Sequence, residues 1–219
     1  MKKPRLIIIV RHGESEANCD RFVNQNVQNH LVELTANGHA QAKAAGRQIA
    51  EMVQPEEKVS IYISPYARTR QTAMHLKQGL VDASFDPYCS EEPRLREQDF
   101  GNFQDPQQMS VVLNERHLYG SFFFRIHNGE SAADVYDRCC SFSSSLHRHI
   151  EHHQMDIVIL VSHGIWGRVF LMKWFGWTYE VFESLRNLPY CTPIVMELQE
   201  DGTYKLQRGL LTWDNKVVS

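Results

Sequence analysis

Two short runs rich in β-branched residues constrain the fold of this chain most strongly. One polar residue and then a His-Gly pair follow each run. Residues 6–10 (LIIIV) and residues 156–161 (DIVILV) are too short for typical helices, and each predicts a strand buried on both faces of a sheet. The first run leads into Arg11-His12-Gly13 and the second into Ser162-His163-Gly164. Strands of this kind are typical of parallel sheets covered by helices on both faces.

Helical and strand patterns alternate along the rest of the chain. Four stretches predict helices: residues 36–53, about 66–80, 131 to about 153, and about 165–175. Thr35 is a predicted N-cap, and Ser131 with Asp134 forms a capping box. Further strands are predicted at residues 59–63 and in a closing hairpin of residues 194–198 and 204–210. The pattern predicts an α/β fold, with three α/β/α layers and a mostly parallel central sheet.

One segment breaks this alternation. Residues 101–128 contain Pro106, a mixed patch at 114–119 and the aromatic run Phe122-Phe123-Phe124. We interpret them as a small cap inserted over the site, within a single domain that spans residues 1–219. Three consecutive aromatic side chains cannot all face inward on a regular element, so at least one is expected to line the substrate mouth.

Composition excludes several classes of protein. The chain has 219 residues, 42% of them hydrophobic, which suits one domain with a large core. The net charge is −3 and no block of Lys or Arg stands out, so neither nucleic acid nor a membrane surface is predicted as a partner. No apolar run approaches the roughly 18–20 residues that span a bilayer. The five cysteines lack a C-x-x-C pair, which favours reduced thiols and a cytoplasmic location. The oligomeric state stays open.

Three predicted strands end in related polar residues. Arg11 and His12 follow the first strand, Arg68 lies one helical turn after the strand at residues 59–63, and His163 follows the strand at residues 156–161. Ligands of doubly wound sheets bind beyond the carboxyl ends of the strands. If these strands are neighbours, two histidines and two arginines form a cationic pocket, and the ligand that such a pocket fits best is a phosphate dianion.

These residues also carry a family resemblance. Arg11-His12-Gly13, with Glu14-Ser15 and Asn18 close behind, resembles the signature of the histidine phosphatase (phosphoglycerate mutase-like) superfamily, branch 1. Its later landmarks follow in the same order: Leu34-Thr35-x-x-Gly38, Ser64-Pro65-x-x-Arg68-Thr69, Gly129-Glu130-Ser131 and Ser162-His163-Gly164. Residues 92–104, 122–125 and 129–138 are similar to a fungal broad-range acid phosphatase branch of that superfamily.

The resemblance implies a metal-independent phosphohydrolase that uses no cofactor. A neutral imidazole attacks phosphorus without a strong base, and His12 takes this role through a covalent phosphohistidine. The phosphoryl oxygens would be held by the rest of the predicted site: Arg11, Arg68, His163, Asn18 and the amide of Gly164. Asn18 could equally be a helix cap, and Ser15 either caps the short helix after this loop or contacts the substrate.

A carboxyl group is needed to protonate the leaving oxygen and later to activate water. We assign this role to Glu97, in Arg94-Leu95-Arg96-Glu97. The segment around Glu115 resembles the acid-bearing segment of cofactor-dependent mutases, but its distance from Arg68 along the chain disfavours it.

The predicted function is hydrolysis of small phosphorylated molecules with broad specificity. A cofactor-dependent phosphoglycerate mutase is the first alternative, because the same pocket could return the phosphoryl group to a sugar acid. A non-catalytic module that binds a phospho-ligand or a partner protein is the second. The presence of both His12 and Glu97 favours an enzyme. The physiological substrate is not predicted.

Overall fold

The computed structural model describes residues 2–101 and 105–219, and its centre is a six-stranded sheet. The strands are β1 (Leu6–Arg11), β2 (Val59–Ile63), β3 (Tyr88–Glu91), β4 (Ile157–Ser162), β5 (Ile194–Leu198) and β6 (Tyr204–Leu206). Their order in the sheet is β3-β2-β4-β1-β5-β6. The first four in this order are parallel, whereas β5 and β6 run antiparallel to their neighbours β1 and β5. The predicted mostly parallel sheet is confirmed.

Helices cover both faces of this sheet. The α-helices of the described residues are α1 (Glu16–Cys19), α2 (Ala36–Ala50), α3 (Ala67–Asp82), α4 (Pro106–Tyr119), α5 (Ala132–His153), α6 (Gly164–Phe175) and α7 (Tyr179–Ser184). Successive side chains of a strand point to opposite faces. Accordingly, Ile8 of β1 lies in a core with α2 and α3, while Ile7 and Ile9 lie in a second core with α5 and α6. The three-layer arrangement follows from this alternation in a strand that is apolar at every position.

Several element boundaries differ from the sequence prediction. Helix α2 ends at Ala50 rather than at residue 53, and β6 ends at Leu206 rather than at residue 210. Residues 210–211 instead form β7 (Leu210–Leu211), which pairs with β8 (Val217–Val218) in a separate two-stranded sheet. Strand β3 was not predicted, because it is a short edge strand with no fully buried position. A pattern of alternating hydrophobicity is therefore weak there.

The predicted cap segment contains helix α4. This helix has no regular apolar face, since Val111, Leu113 and Leu118 are all exposed, and periodicity did not predict it. After α4, Phe122 is buried against Phe182, whereas Phe123 is 53% exposed. Residues 102–104 of the predicted cap lie outside the described residues.

None of the helices within residues 2–101 and 105–219 has both the length and the hydrophobicity needed to cross a bilayer. The five cysteines of the described chain are all unpaired, and Cys139 and Cys191 are buried. The prediction of a cytoplasmic location stays a prediction.

Candidate active site

The predicted convergence of three strand ends is present in the sheet. Strand β4 lies between β1 and β2, so the residues that follow these strands meet at one edge. Arg11 is paired with Ser162 in the register of β1 and β4, and the rings of His12 and His163 lie 5.2 Å apart between centroids. The condition on which the predicted phosphate pocket depended, neighbouring strands, is therefore met.

His12 is held in one orientation by the backbone. Its Nδ1 lies 2.7 Å from the carbonyl oxygen of Gly13, and its own backbone N–H donates to the Ser162 carbonyl at 3.0 Å. Because a carbonyl oxygen only accepts hydrogen bonds, Nδ1 carries the ring hydrogen. The lone pair is then on Nε2, which is the arrangement that a nucleophilic imidazole requires.

A glycine contact fixes the loop that carries His12. A Cβ atom placed on Gly38 would lie 2.0 Å from the carbonyl oxygen of Glu14, so only glycine allows α2 to approach this closely. The N-cap of α2, Thr35, donates from its hydroxyl to the Glu14 carboxylate at 2.7 Å. The first turn of α2 thereby holds the backbone directly after His12.

Both arginines of the predicted site are anchored by a carbonyl group and an aromatic ring. Arg68 donates to the carbonyl oxygen of Asn29 at 2.7 Å and lies 4.9 Å from the ring centre of Tyr66. Arg11 donates to the carbonyl oxygen of Leu188 at 2.7 Å, with its guanidinium 4.1 Å from the ring centre of Tyr190. Each guanidinium group has five N–H donors. These contacts use some of them and leave the remaining N–H groups for an anion.

His163 is fully buried and contacts Ser64. The hydroxyl of Ser64 lies 2.7 Å from Nε2 of His163, and the Nδ1 atom has no partner among the described residues. If the hydroxyl donates to Nε2, Nδ1 carries the hydrogen and is available to donate to a phosphoryl oxygen. Ser64 is part of the sequence motif, but its role as the partner of His163 was not predicted.

Burial, together with the positive charges of the site, keeps both histidines neutral. Burial, followed by the positive charges of Arg68 and Arg11, lowers the pKa of His12 well below its ordinary value. Burial and the same arginines, together with His12, also lower the pKa of His163. Burial lowers the pKa of Arg68 to about 10, so this group stays charged near neutral pH. The site thus combines two neutral imidazoles with permanent cations around them.

Glu97 lies at the N-terminus of α6. Its two carboxylate oxygens accept hydrogen bonds at 3.1 Å from the backbone N–H groups of Ile165 and Trp166. The charge of Glu97 acts on both Arg11 and Arg68, which places the carboxylate beside the pocket. Glu115, by contrast, is exposed on α4. Of the two glutamates weighed from the sequence, Glu97 is the one near the phosphate-binding groups.

A buried ion pair supports the backbone of Glu97. Arg138 of α5 donates to the carbonyl oxygens of Arg94, Arg96 and Glu97 at 2.7–3.1 Å. Its guanidinium is also paired with Glu130 at 3.0 Å. Arg138 and Glu130 belong to the family-like stretch at residues 129–138. Nothing in their spacing along the chain shows that they contact residues 94–97.

The three remaining predicted site residues lie nearby with structural contacts. The side-chain oxygen of Asn18 accepts from the backbone N–H of Ser15 at 3.0 Å and from its hydroxyl at 2.8 Å. Ser15 is the N-cap residue of α1, and Asn18 keeps its side-chain N–H donors for other partners. Gly164 begins α6 directly after His163, and a Cβ atom there would collide with the side chain of Asn187.

The chain matches the profile of the histidine phosphatase superfamily (branch 1) over residues 7–209. It belongs to that superfamily. Broad-range acid phosphatase DET1 of Saccharomyces cerevisiae is 35% identical, covering 96% of this chain and 91% of its own length. Phosphoglycerate mutase-like protein AT74H of Arabidopsis thaliana is 42% identical over 92% of this chain and 76% of its own. The predicted family is confirmed, and these relatives support a phosphohydrolase.

Solved structures of other phosphatases share the fold. A mycobacterial glucosyl-3-phosphoglycerate phosphatase aligns with a TM-score of 0.72 at 20% identity, over 93% of this chain and 97% of its own. A putative α-ribazole-5'-phosphate phosphatase from Escherichia coli K-12 aligns with a TM-score of 0.71 at 19% identity, over 99% and 100%. At such low identity the likeness concerns the fold alone.

Proposed function

We propose that this histidine phosphatase hydrolyses small phosphomonoesters through a phosphohistidine at His12, without a metal ion and with broad specificity. The observation that carries the proposal is the orientation of His12. Its Nδ1–H is bound to the Gly13 carbonyl, its pKa is lowered by burial and two arginines, and its Nε2 lone pair is therefore available for attack.

In the first step Nε2 of His12 forms a bond to phosphorus while the bond to the leaving oxygen breaks. Arg11, Arg68 and His163 bind the phosphoryl oxygens and stabilise their charge, assisted by the side-chain amide of Asn18 and the amide of Gly164. Glu97, which enters this step in its protonated form, gives its proton to the leaving oxygen and becomes a carboxylate. In the second step water attacks phosphorus, Glu97 takes the proton of that water, and phosphate leaves His12.

The segment at 101–128 acts as a cap over the leaving-group side of this pocket. Arg116 of α4 donates to the side chain of Gln98, the residue next to Glu97, at 3.4 Å. A cavity of about 220 Å³ separates the start of α4 from residues 17–24, which follow the His12 loop. The described part of this segment, residues 105–128, contains helix α4 and irregular chain. We expect such a cap to admit phosphoesters of different shape, in line with the broad-range phosphatase among the relatives.

The experiment is release of phosphate from p-nitrophenyl phosphate in the presence of EDTA. We expect His12→Ala to lose at least about 10⁴-fold in kcat, because the nucleophile is removed. His152→Ala, an exposed histidine of α5, is the matched control and should keep full activity. Mixing wild type with a ³²P-labelled ester and quenching in base should trap an acid-labile phosphoenzyme that His12→Ala does not form.

Two results would contradict the proposal. Loss of activity with EDTA would show that a metal ion is required. Interconversion of 3-phosphoglycerate and 2-phosphoglycerate faster than phosphate release would identify a mutase instead.

A further inference from the structure

A separate cavity lies at the opposite edge of the sheet from His12. It has a volume of about 430 Å³, which is within the range of small-molecule sites. Its lining comes from the residues before β1, the second half of α5, the end of α6 and the start of β6. His12 follows β1, whereas the cavity lies before this strand, and the six residues of β1 span about 20 Å. The proposed mechanism uses none of the side chains that line this cavity.

One wall of the cavity is a group of packed aromatic rings. The ring of His147 stacks on that of Trp174, with 6° between the two planes, and the ring of Tyr204 meets Trp174 edge-on at 5.4 Å between centroids. Phe175, the next residue of α6, also lines the cavity and stacks on Trp177. Each ring is thus held by a neighbouring ring, and the wall is rigid. Such a wall favours a planar aromatic ligand, because ring pairs gain from offset and edge-to-face contacts.

The polar atoms of this wall are bonded mainly to the protein. Nδ1 of His147 lies 2.6 Å from the carbonyl oxygen of Ser143, so Nδ1 carries the ring hydrogen. The hydroxyl of Tyr204 donates to the carbonyl oxygen of Pro4 at 2.6 Å. Neither ring keeps a donor for a ligand, and donors for an anionic group must come from other residues of the cavity.

Two lysines from the segment before β1 supply these donors. Lys2 donates to the carbonyl oxygen of Gln154 and forms an ion pair with Asp156 at 2.7 Å, so its charge is already compensated. Lys3 donates to the neutral carbonyl oxygen of Gly202 at 2.6 Å, and among the described residues no carboxylate is paired with it. An ammonium group has three donors. Lys3 therefore brings an uncompensated charge and spare donors to the cavity.

The charge balance of the cavity favours a monoanion. Within residues 2–101 and 105–219, neither Asp nor Glu contributes to the lining. Asp201 is close to it along the chain, but its carboxylate accepts from the backbone N–H of Thr203 at 2.8 Å and from the Thr203 hydroxyl at 2.6 Å. The positive charge of Lys205 also acts on that carboxylate. One free ammonium group matches a carboxylate better than a phosphate dianion, which binds best where several cations meet.

We infer that this cavity is a binding site for a small aromatic carboxylate. The ring of the ligand packs against the wall that includes Trp174, and the carboxylate accepts a hydrogen bond from Lys3. Burial of the ring supplies most of the affinity, because an ion pair with an exposed lysine contributes little. The inference goes beyond the proposed function and does not depend on the phosphohistidine mechanism.

The test is a titration of ¹⁵N-tryptophan-labelled protein with 2-naphthoate, followed through the indole N–H signal of Trp174 and assigned with Trp174→Phe. Saturating inorganic phosphate is present, because the carboxylate could otherwise bind the cationic active site. We expect a saturable shift with a Kd of about 1 mM or tighter. The neutral probe 2-naphthamide, which has the same ring, should bind about threefold more weakly or worse.

Variants assign the contacts. Lys3→Gln should weaken 2-naphthoate binding about threefold and leave 2-naphthamide unchanged. Lys205→Gln is the matched control, because Lys205 is an exposed lysine of β6 whose side chain points to the opposite face from Tyr204. It should change neither affinity. Trp174→Leu, measured by calorimetry, should weaken both probes about tenfold through loss of the ring contact.

Four outcomes would overturn the inference. They are the absence of a saturable shift at about 10 mM 2-naphthoate, equal affinity for 2-naphthamide, equal effects of Lys3→Gln and Lys205→Gln, and binding that phosphate abolishes. If Trp174→Leu does not fold, as judged by circular dichroism, the exposed Lys3→Gln still decides the question. Failure to hydrolyse p-nitrophenyl phosphate would overturn the proposed function and leave this inference standing, since its readout is binding.

Discussion

The two ends of this active site are built from different kinds of structure. At the phosphate end, His12, Arg68 and His163 follow three adjacent parallel strands and are 4%, 6% and 0% exposed. At the proposed leaving-group end, Glu97 comes from a loop and is half-buried, and its charge acts on Arg116 of α4 and Arg168 of α6. The phosphate end is a fixed part of the sheet, whereas the leaving-group end depends on a loop and a cap.

This difference separates chemistry from substrate choice. Strand ends packed in a sheet hold charged groups within a narrow geometry, as phosphoryl transfer requires. Loops and short helices tolerate changes in length and sequence, so they can alter the leaving group that is accepted without disturbing the nucleophile. A change at the phosphate end should therefore affect every substrate alike, and a change at the other end should affect substrates unequally.

The largest effect that tests this contrast is expected for Glu97→Gln. The amide keeps the shape of the side chain but cannot give up a proton, so kcat for an alkyl phosphate such as glycerol 3-phosphate should fall by about 10³-fold. With p-nitrophenyl phosphate the leaving group needs no proton, and a burst of p-nitrophenol equal to the enzyme concentration should precede slow turnover. Glu115→Gln is the matched control. A greater loss in that control would move the acid to α4.

A second, smaller effect is expected at the phosphate end for Arg68→Met. Removing one cation should slow all substrates by about 10²-fold, with no preference among leaving groups. The positive charge of Arg68 helps to lower the pKa of His12, after burial, so its removal should raise that pKa. A raised pKa protonates the nucleophile at higher pH, and the acid limb of kcat/KM should shift to higher pH.

The titration of His12 can be followed directly by NMR of ¹³C-labelled histidine, independently of turnover. Arg70→Met serves as the control, because Arg70 is an exposed residue of the same helix that pairs with Glu91. An unchanged His12 titration in Arg68→Met would mean that burial and the charge of Arg11 are enough to keep the imidazole neutral.

The same contrast explains what could be predicted from the sequence. The phosphate end was predictable because its residues follow their strands directly, and apolar runs of five or six residues indicate where strands end. Once the strands are neighbours, the positions of His12 and His163 follow from the sheet itself. The family-like motifs supported this prediction, because they follow one another along the chain in the order found in the superfamily.

The leaving-group end was less predictable because its contacts join distant segments without a local pattern. Arg138 reaches residues 94–97 across more than 40 positions, and Arg168 lines one cavity with Arg116, about 50 positions away along the chain. Helix α4 lacks an apolar face, so it was not predicted from the sequence. Long-range polar contacts depend on the completed packing, which composition and spacing do not encode.

The smallest effect is expected for Ser64→Ala, which tests whether the phosphate end depends on positioning as strictly as its burial suggests. The hydroxyl of Ser64 contacts Nε2 of His163 at 2.7 Å and orients the ring without touching the substrate. Loss of one buried hydrogen bond should reduce kcat by about five- to tenfold, with little change in KM, because charge on the phosphoryl oxygens is greatest in the transition state. The reduction should be the same for alkyl and aryl phosphates.

Ser60→Ala is the control for this change, since Ser60 is an equally buried serine of β2 that bonds weakly to the Ile157 carbonyl. A purely structural effect of removing a buried hydroxyl would appear in both variants. An altered NMR signal of the His163 ring in Ser64→Ala alone would assign the loss to the orientation of that ring. A loss that varied with the leaving group would contradict the contrast between the two ends, because the phosphate end would then take part in substrate choice.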